Sequence, residues 1–252
     1  MMLAELYETI FVRKSVRKFE PSPLASEAIA ELSAFMKELV PMHDDITIEP
    51  RIVPGKDVMS PFRPKPSNYI LAFSEPKDGY LVNAGFMLQQ VDLFLSVRDI
   101  GCCWQGIPQP TWTARKSSKL EFIIALAIGM PAEPIHRSSA EEFDRKPIEQ
   151  ITTISEMDDI MEAVRLAPSA TNNQPWFFTR DEAGLLHAYC VKVNPLKAIF
   201  FHKFNEISLG IAICHAWIAM LHEGKTPEFT NDASARDHPP AGYYYVTSIK
   251  FS

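Results

Sequence analysis

Two helical runs in this chain, residues 81–97 and 205–224, are apolar on nearly every side. A helix with so little polar face belongs between layers, not on a surface, so the fold must be built around these two segments. Each sits in a similar context. Glu38-Leu39-Val40-Pro41 followed by residues 49–53 (EPRIV) parallels Arg165-Leu166-Ala167-Pro168 followed by residues 174–178 (QPWFF). The apolar run at 122–129 (FIIALAIG) follows the first helix as 243–249 (YYYVTSI) follows the second. The spacing predicts two diverged copies of a helix–strand–helix–strand unit, residues 1–150 and 151–252, joined through about 141–155.

Local signals fill in the rest. Residues 3–12 have helical spacing, and Ser26 is placed to cap a second helix reaching about Val40. Residues 46–53 alternate as a strand, the proline-rich segment 54–66 reads as loop, and 69–73 (YILAF) reads as a buried strand. Gly101 is placed to end the first apolar helix, and 102–110 reads as turns. Residues 122–129 form a run expected of a strand buried on both faces.

At 252 residues, the chain can bury a large core as one domain or two intimate halves. A net charge of −6 and the lack of a basic run argue against nucleic acid as a partner. The longest unbroken apolar run, 122–130, is strand-sized, so no membrane span is expected. Residues 1–11 lack the pattern of a signal peptide. Cys102, Cys103, Cys190 and Cys214 form no metal or disulfide framework, which makes a reduced, cytoplasmic protein the expectation. His215 and His222 share a helix face without a third ligand, so no metal site is expected. A P-loop, a G-x-S-x-G elbow and a G-x-G-x-x-G turn are all lacking from the sequence.

Two segments carry chemistry. A helical run, 157–166, is stopped by Pro168, and the polar residues 169–174 (SATNNQ) lead into Pro175-Trp176 and an extended apolar stretch. Small and amide side chains here suit either an ordinary turn or a loop that hydrogen-bonds a flat, polar-edged ligand. Near the N-terminus, Arg13-Lys14-Ser15-Val16-Arg17 is either a solvated basic helix end or a phosphate grip of two guanidiniums around a hydroxyl.

Together the two segments resemble the FMN-dependent nitroreductase superfamily, in the signature A-P-S-A-x-N-x-Q-P-W at 167–176 and R-x-S-x-R-x-F at 13–19. The resemblance implies an α+β fold, a mixed sheet with flanking helices, in two tandem halves that mimic the family's homodimer. It implies bound FMN, with Arg13, Lys14 and Ser15 at the phosphate and Arg17 nearer the flavin ring. Gln105 and Gly106 would offer backbone to flavin N(5), since glycine lets a main chain approach a ring closely. Arg145, otherwise read as a linker charge, would close on the phosphate. Pro168, Ser169, Ala170, Asn172 and Gln174 would line the flavin, and Arg63 or Lys65 would approach it from the loop before 69–73. The implied activity is hydride transfer from NADH or NADPH to FMN and on to a small acceptor such as a nitroaromatic or quinone. No side chain is assigned as acid or base, because the cofactor carries the redox chemistry. A flavin store or redox sensor without turnover is the competing function. Each motif occurs once, in opposite halves, so one FMN per chain in a cleft between the halves is expected, and a monomer would suffice as a pseudo-dimer.

Overall fold

The apolar runs marked by the sequence become the helices and central strands of two sheet-and-helix units. The computed structural model describes residues 2–62 and 66–252; Arg63 and Lys65 lie outside the described residues. In chain order the elements are α1 (Met2–Ile10), α2 (Ser26–Phe35), β1 (Ile48–Pro54), β2 (Val58–Met59), β3 (Asn68–Ser74), α3 (Tyr80–Val97), β4 (Gly101–Gln105), β5 (Gln109–Pro110), α4 (Trp112–Arg115) and β6 (Glu121–Gly129). There follow α5 (Asp158–Arg165), β7 (Trp176–Arg180), β8 (Leu186–Val191), α6 (Pro195–His222), β9 (Pro227–Thr230), α7 (Ala233–Asp237) and β10 (Tyr243–Phe251). One unit gathers Val12–Tyr80 and Met87–Ala140; the other gathers Met1–Phe11, Leu81–Phe86 and Glu141–Ser252.

The first unit is built on a four-stranded sheet of order β1-β3-β6-β4, antiparallel throughout. Its two inner strands are buried on both faces, which is why their sequences do not alternate. The segment after α1 lies along β4 and the chain beyond β6. Val16 N–H donates to the Cys102 carbonyl at 2.9 Å, and Arg13 and Phe19 form bridges with His136 and Pro131.

The second unit has a sheet of order β7-β8-β10-β9, also antiparallel, with α1 and α5 packed on α6. Numbered within each sheet, both orders read first, second, fourth, third. In this unit the opening turns of α3 cross α6 at very close range. A Cβ added to Gly85 would lie 2.1 Å from the Ile207 carbonyl oxygen, and one on Gly210 would lie 2.0 Å from that of Val82. Only glycine at both positions permits this crossing.

Several local expectations need correction. Ser26 is the first residue of α2, after an Ala25 N-cap with no side-chain bond, and the helix stops at Phe35. Gly101 does not end α3. Asp99 takes the left-handed conformation (φ 54°), while Ile100 N–H reaches the Leu95 carbonyl and Asp99 N–H that of Ser96, the pattern of a Schellman cap. Gly101 instead opens β4, where a Cβ would meet Val16 Cγ1 at 2.8 Å. Within 102–110, expected as turns, residues 102–105 and 109–110 are therefore strand. The sheets are antiparallel, not mixed; parallel pairing among the described residues is confined to the bridge Thr152–Phe178. Finally, Phe201–His222 is long and apolar enough to cross a membrane by length and composition, contrary to the sequence reading. That window is 78% buried within the chain, as a core helix would be.

Candidate active site

The residues assigned to a phosphate grip divide into two kinds. Arg13 is only 1% exposed, with its Nε 3.0 Å from Asp92 Oδ2 on α3 and a terminal N–H donated to Ser15 Oγ at 3.2 Å. It therefore differs from the expected ligand arginine: its charge is matched inside the protein. Burial demands this, because an unpaired guanidinium in the interior would be costly. Lys14 and Ser15 are half-buried and Arg17 is exposed.

This segment stabilises negative charge. Glu133 Oε1 accepts the backbone N–H groups of Arg17 (2.7 Å) and Lys18 (3.2 Å). Its carboxyl is held below the usual range, first by the Arg17 N–H, then by the Lys18 N–H and the charges of Lys14 and Lys18. Arg17 also acts on β4: burial pushes the Cys103 thiol up, and the Arg17 charge opposes that rise. The segment 13–17 thus lies along β4, which ends in Trp104-Gln105. Trp104 Nε1 and Gln105 Oε1 are buried atoms without a hydrogen-bond partner among the described residues, and Gly106 is exposed beside them. Buried polar atoms are normally paired, so orphaned ones next to an exposed glycine fit a bound polar ring. On these observations a flavin with a phosphate tail fits the first unit.

The signature loop lies in the second unit and is strained. Thr171 (φ 52°), Asn172 (φ 58°) and Gln174 (φ 46°) all adopt left-handed backbone. Each such residue costs on the order of 1–2 kcal/mol, and clustered strain of this kind gathers at functional sites. Side chains hold the loop in place. Gln174 Oε1 accepts Lys146 N–H at 2.8 Å, Gln174 N–H donates to Ser169 Oγ at 2.9 Å, and Lys146 Nζ donates to the Gln174 carbonyl at 2.9 Å. Arg145 donates to Asn172 Oδ1 at 2.8 Å and to the Leu166 carbonyl at 3.2 Å.

The structure therefore brings Arg145 together with Ser169, Asn172 and Gln174 in one hydrogen-bonded network. Arg145, Asn172 and Gln174 brace the loop from within. Of the loop residues Thr171 is exposed, Ser169, Ala170, Asn172 and Asn173 are half-buried, and Pro168 and Gln174 are buried. Burial also lowers the pKa of Lys146, whose backbone and side chain both clamp Gln174.

Asp92 and Lys146 were not singled out from the sequence. Asp92 had a signal: it is the one charged residue in the apolar run 81–97, and an acid there needs a buried partner. Lys146 had none beyond its place next to Arg145.

Comparison with known proteins shows the family and the fold. Residues 5–220 match the model of a family described as "Putative TM nitroreductase". Among solved structures, a putative nitroreductase from Thermotoga maritima aligns over 97% of this chain and 92% of its own, with a TM-score of 0.64 and 20% identity. A structure described as a "Putative NADH dehydrogenase/NAD(P)H nitroreductase" from Parabacteroides distasonis covers 58% of this chain and 96% of its own (TM-score 0.44, 18% identity). A structure described as a "putative nitroreductase in complex with fmn" from Desulfovibrio desulfuricans covers 57% of this chain and 96% of its own (TM-score 0.35, 16% identity). No curated protein matches. With 216 of 252 residues inside the family model (220 − 5 + 1) and an α+β architecture shared along nearly the whole chain, this protein belongs to the TM nitroreductase family.

Proposed function

We propose that the chain is an FMN-dependent oxidoreductase of the nitroreductase type, using NADH or NADPH as reductant. The observation that supports this reading is the hydrogen bond from Val16 N–H to the Cys102 carbonyl, which joins the segment 13–17 to β4, the strand that ends in Trp104-Gln105 with their unpaired atoms. When bound, FMN supplies hydride transfer, from the nicotinamide and on to a small acceptor such as a nitroaromatic or quinone.

The protein's part is to bind, orient and tune. Because Arg13 is matched by Asp92, the exposed Arg17, which the resemblance puts nearer the ring, is assigned with Lys14 to the phosphate charge, and Ser15 donates a hydrogen bond to the phosphate. Gly106, lacking a side chain, offers its backbone to the ring edge. Ser169, Ala170 and Thr171 supply the outward surface of the braced loop. Because those outward groups are small, the loop can approach a flat ring without a bulky side chain intervening. The strand order common to both sheets supports an origin by duplication. One FMN per chain is the proposed stoichiometry, since each motif occurs once.

Titration of flavin-free protein with FMN and with riboflavin, with mass measured in solution, tests the reading. Arg17→Gln removes a charge-assisted contact of about 1.5–3 kcal/mol, so FMN affinity should fall roughly ten- to a hundred-fold. Riboflavin, lacking the phosphate, should change less than about threefold. Equal losses for both ligands, or no flavin binding at all, would refute it.

A further inference from the structure

Asp92 has no direct part in the site just described, yet its contacts lead into it. It is 1% exposed on α3, and Oδ2 accepts both Arg13 Nε (3.0 Å) and Gln89 Nε2 (3.2 Å). The Cys102 thiol bonds to it as well, and burial together with the Asp92 charge drives that thiol far up, so Cys102 stays a neutral donor. Arg137 further fixes the segment by donating to the Arg13 carbonyl. Arg13 thus has one N–H committed to Asp92 and another to Ser15 Oγ.

That last bond has a chemical consequence. A serine hydroxyl has one proton and two lone pairs, and an arginine can only donate. With Arg13 occupying a lone pair, the Ser15 proton is turned away from the cation and is free to be given to an acceptor outside. We propose that Asp92 is a positioning residue which, acting through Arg13, presets Ser15 as a hydrogen-bond donor to the flavin phosphate. This rests on the FMN reading above. It also gives Arg13 a role other than that of a ligand. Held inward by Asp92, it is a strut; without Asp92 the buried guanidinium would be uncompensated, and its N–H would no longer be fixed on Ser15 Oγ.

The test uses the full chain stripped of flavin, with FMN and riboflavin affinities and the thermal midpoint measured on each variant. Ser15→Ala should lower the preference for FMN over riboflavin by about tenfold, the scale of one charge-assisted hydrogen bond. Asp92→Asn should lower it by a similar factor, and the Ser15→Ala/Asp92→Asn double variant by no more than either alone. Arg13→Lys keeps a cation for Asp92 but loses the second arm, so it should lose the same preference even where Asp92→Asn does not fold. A lower melting temperature with unchanged preference, or losses that multiply in the double variant, would overturn the proposal. Arg17→Gln separates the two readings. If it leaves the preference intact, the phosphate assignment itself falls. If it lowers the preference while Asp92→Asn and Arg13→Lys do not, only the role of Asp92 falls.

Discussion

Gly210→Ala is the sharpest test of the packing, because helix propensity and packing pull in opposite directions. In an exposed helix the change would stabilise by about 1 kcal/mol. Here the new Cβ would stand 2.0 Å from the Val82 carbonyl oxygen and 2.9 Å from Phe86 N, both backbone atoms that no side-chain rotation can clear. A carbon–oxygen contact needs about 3.3 Å, so the helices must separate by roughly 1.3 Å, the difference between that spacing and the present one. Overpacking costs about 1–3 kcal/mol, and backbone against backbone belongs at the upper end. The net loss is then about 2 kcal/mol, or some 4–8 °C in melting temperature for a chain of this size. Gly85→Ala should behave alike, and the double variant should lose less than the sum, since one separation relieves both clashes. Thermal unfolding followed by circular dichroism reads all three. A Gly210→Ala variant as stable as the parent, or more so, would mean that α3 and α6 do not cross at these glycines.

Two further outcomes follow from the second unit. Gln174→Ala removes a side chain only 2% exposed that joins Lys146 N–H to the Asn172 carbonyl, so it should cost about 1–3 kcal/mol; an unchanged melting temperature would return the loop to an ordinary turn. Burial pushes the Cys190 thiol up to about 12 from an ordinary 9.0. Between those values the unfolded chain gives up this proton while the folded chain keeps it. The contribution of Cys190 is therefore complete below about pH 9 and is lost as pH rises towards 12. Urea midpoints at pH 8 and pH 10 should fall more steeply for the parent than for Cys190→Ala, and equal slopes would contradict this.

What could be read in the sequence was what periodicity and local chemistry encode. The cores of α3 and α6 and the strands β3 and β6 announced themselves as apolar runs, and the signature loop as a helix stop followed by amides. What could not be read depended on distant partners. Residues 101–105 look like turn because Gly101 and Gln105 flank only three strand formers; the pairing of Cys103 with Ala127 makes them a strand. The burial of Arg13 depends on an acid 79 positions away (92 − 13), and nothing in R-x-S-x-R itself tells a strut from a ligand. The bonds of Asn172 and Gln174 to residues 145–146 could not be read either, because loop strain and its bracing exist only once the backbone is folded. The two glycines of the crossing did carry a signal, since glycine inside a helix run usually marks a close approach.

The way the chain is threaded bears on how such a protein can be cut. The unit that owns α6 also owns α1 and the first turns of α3, so its parts lie at the beginning, the middle and the end of the polypeptide. That unit cannot be expressed as one continuous fragment, whereas the stretch 12–140 contains the whole of the other. A gene for Glu141–Ser252 alone would encode α6 without the two glycine-matched turns and the N-terminal helix that cover it. Its apolar surface would then meet water or other copies of itself, and insoluble material is the expected product. If the protein arose by joining two smaller ones, the joined chain could no longer simply revert to them: the shared helix makes the fusion permanent.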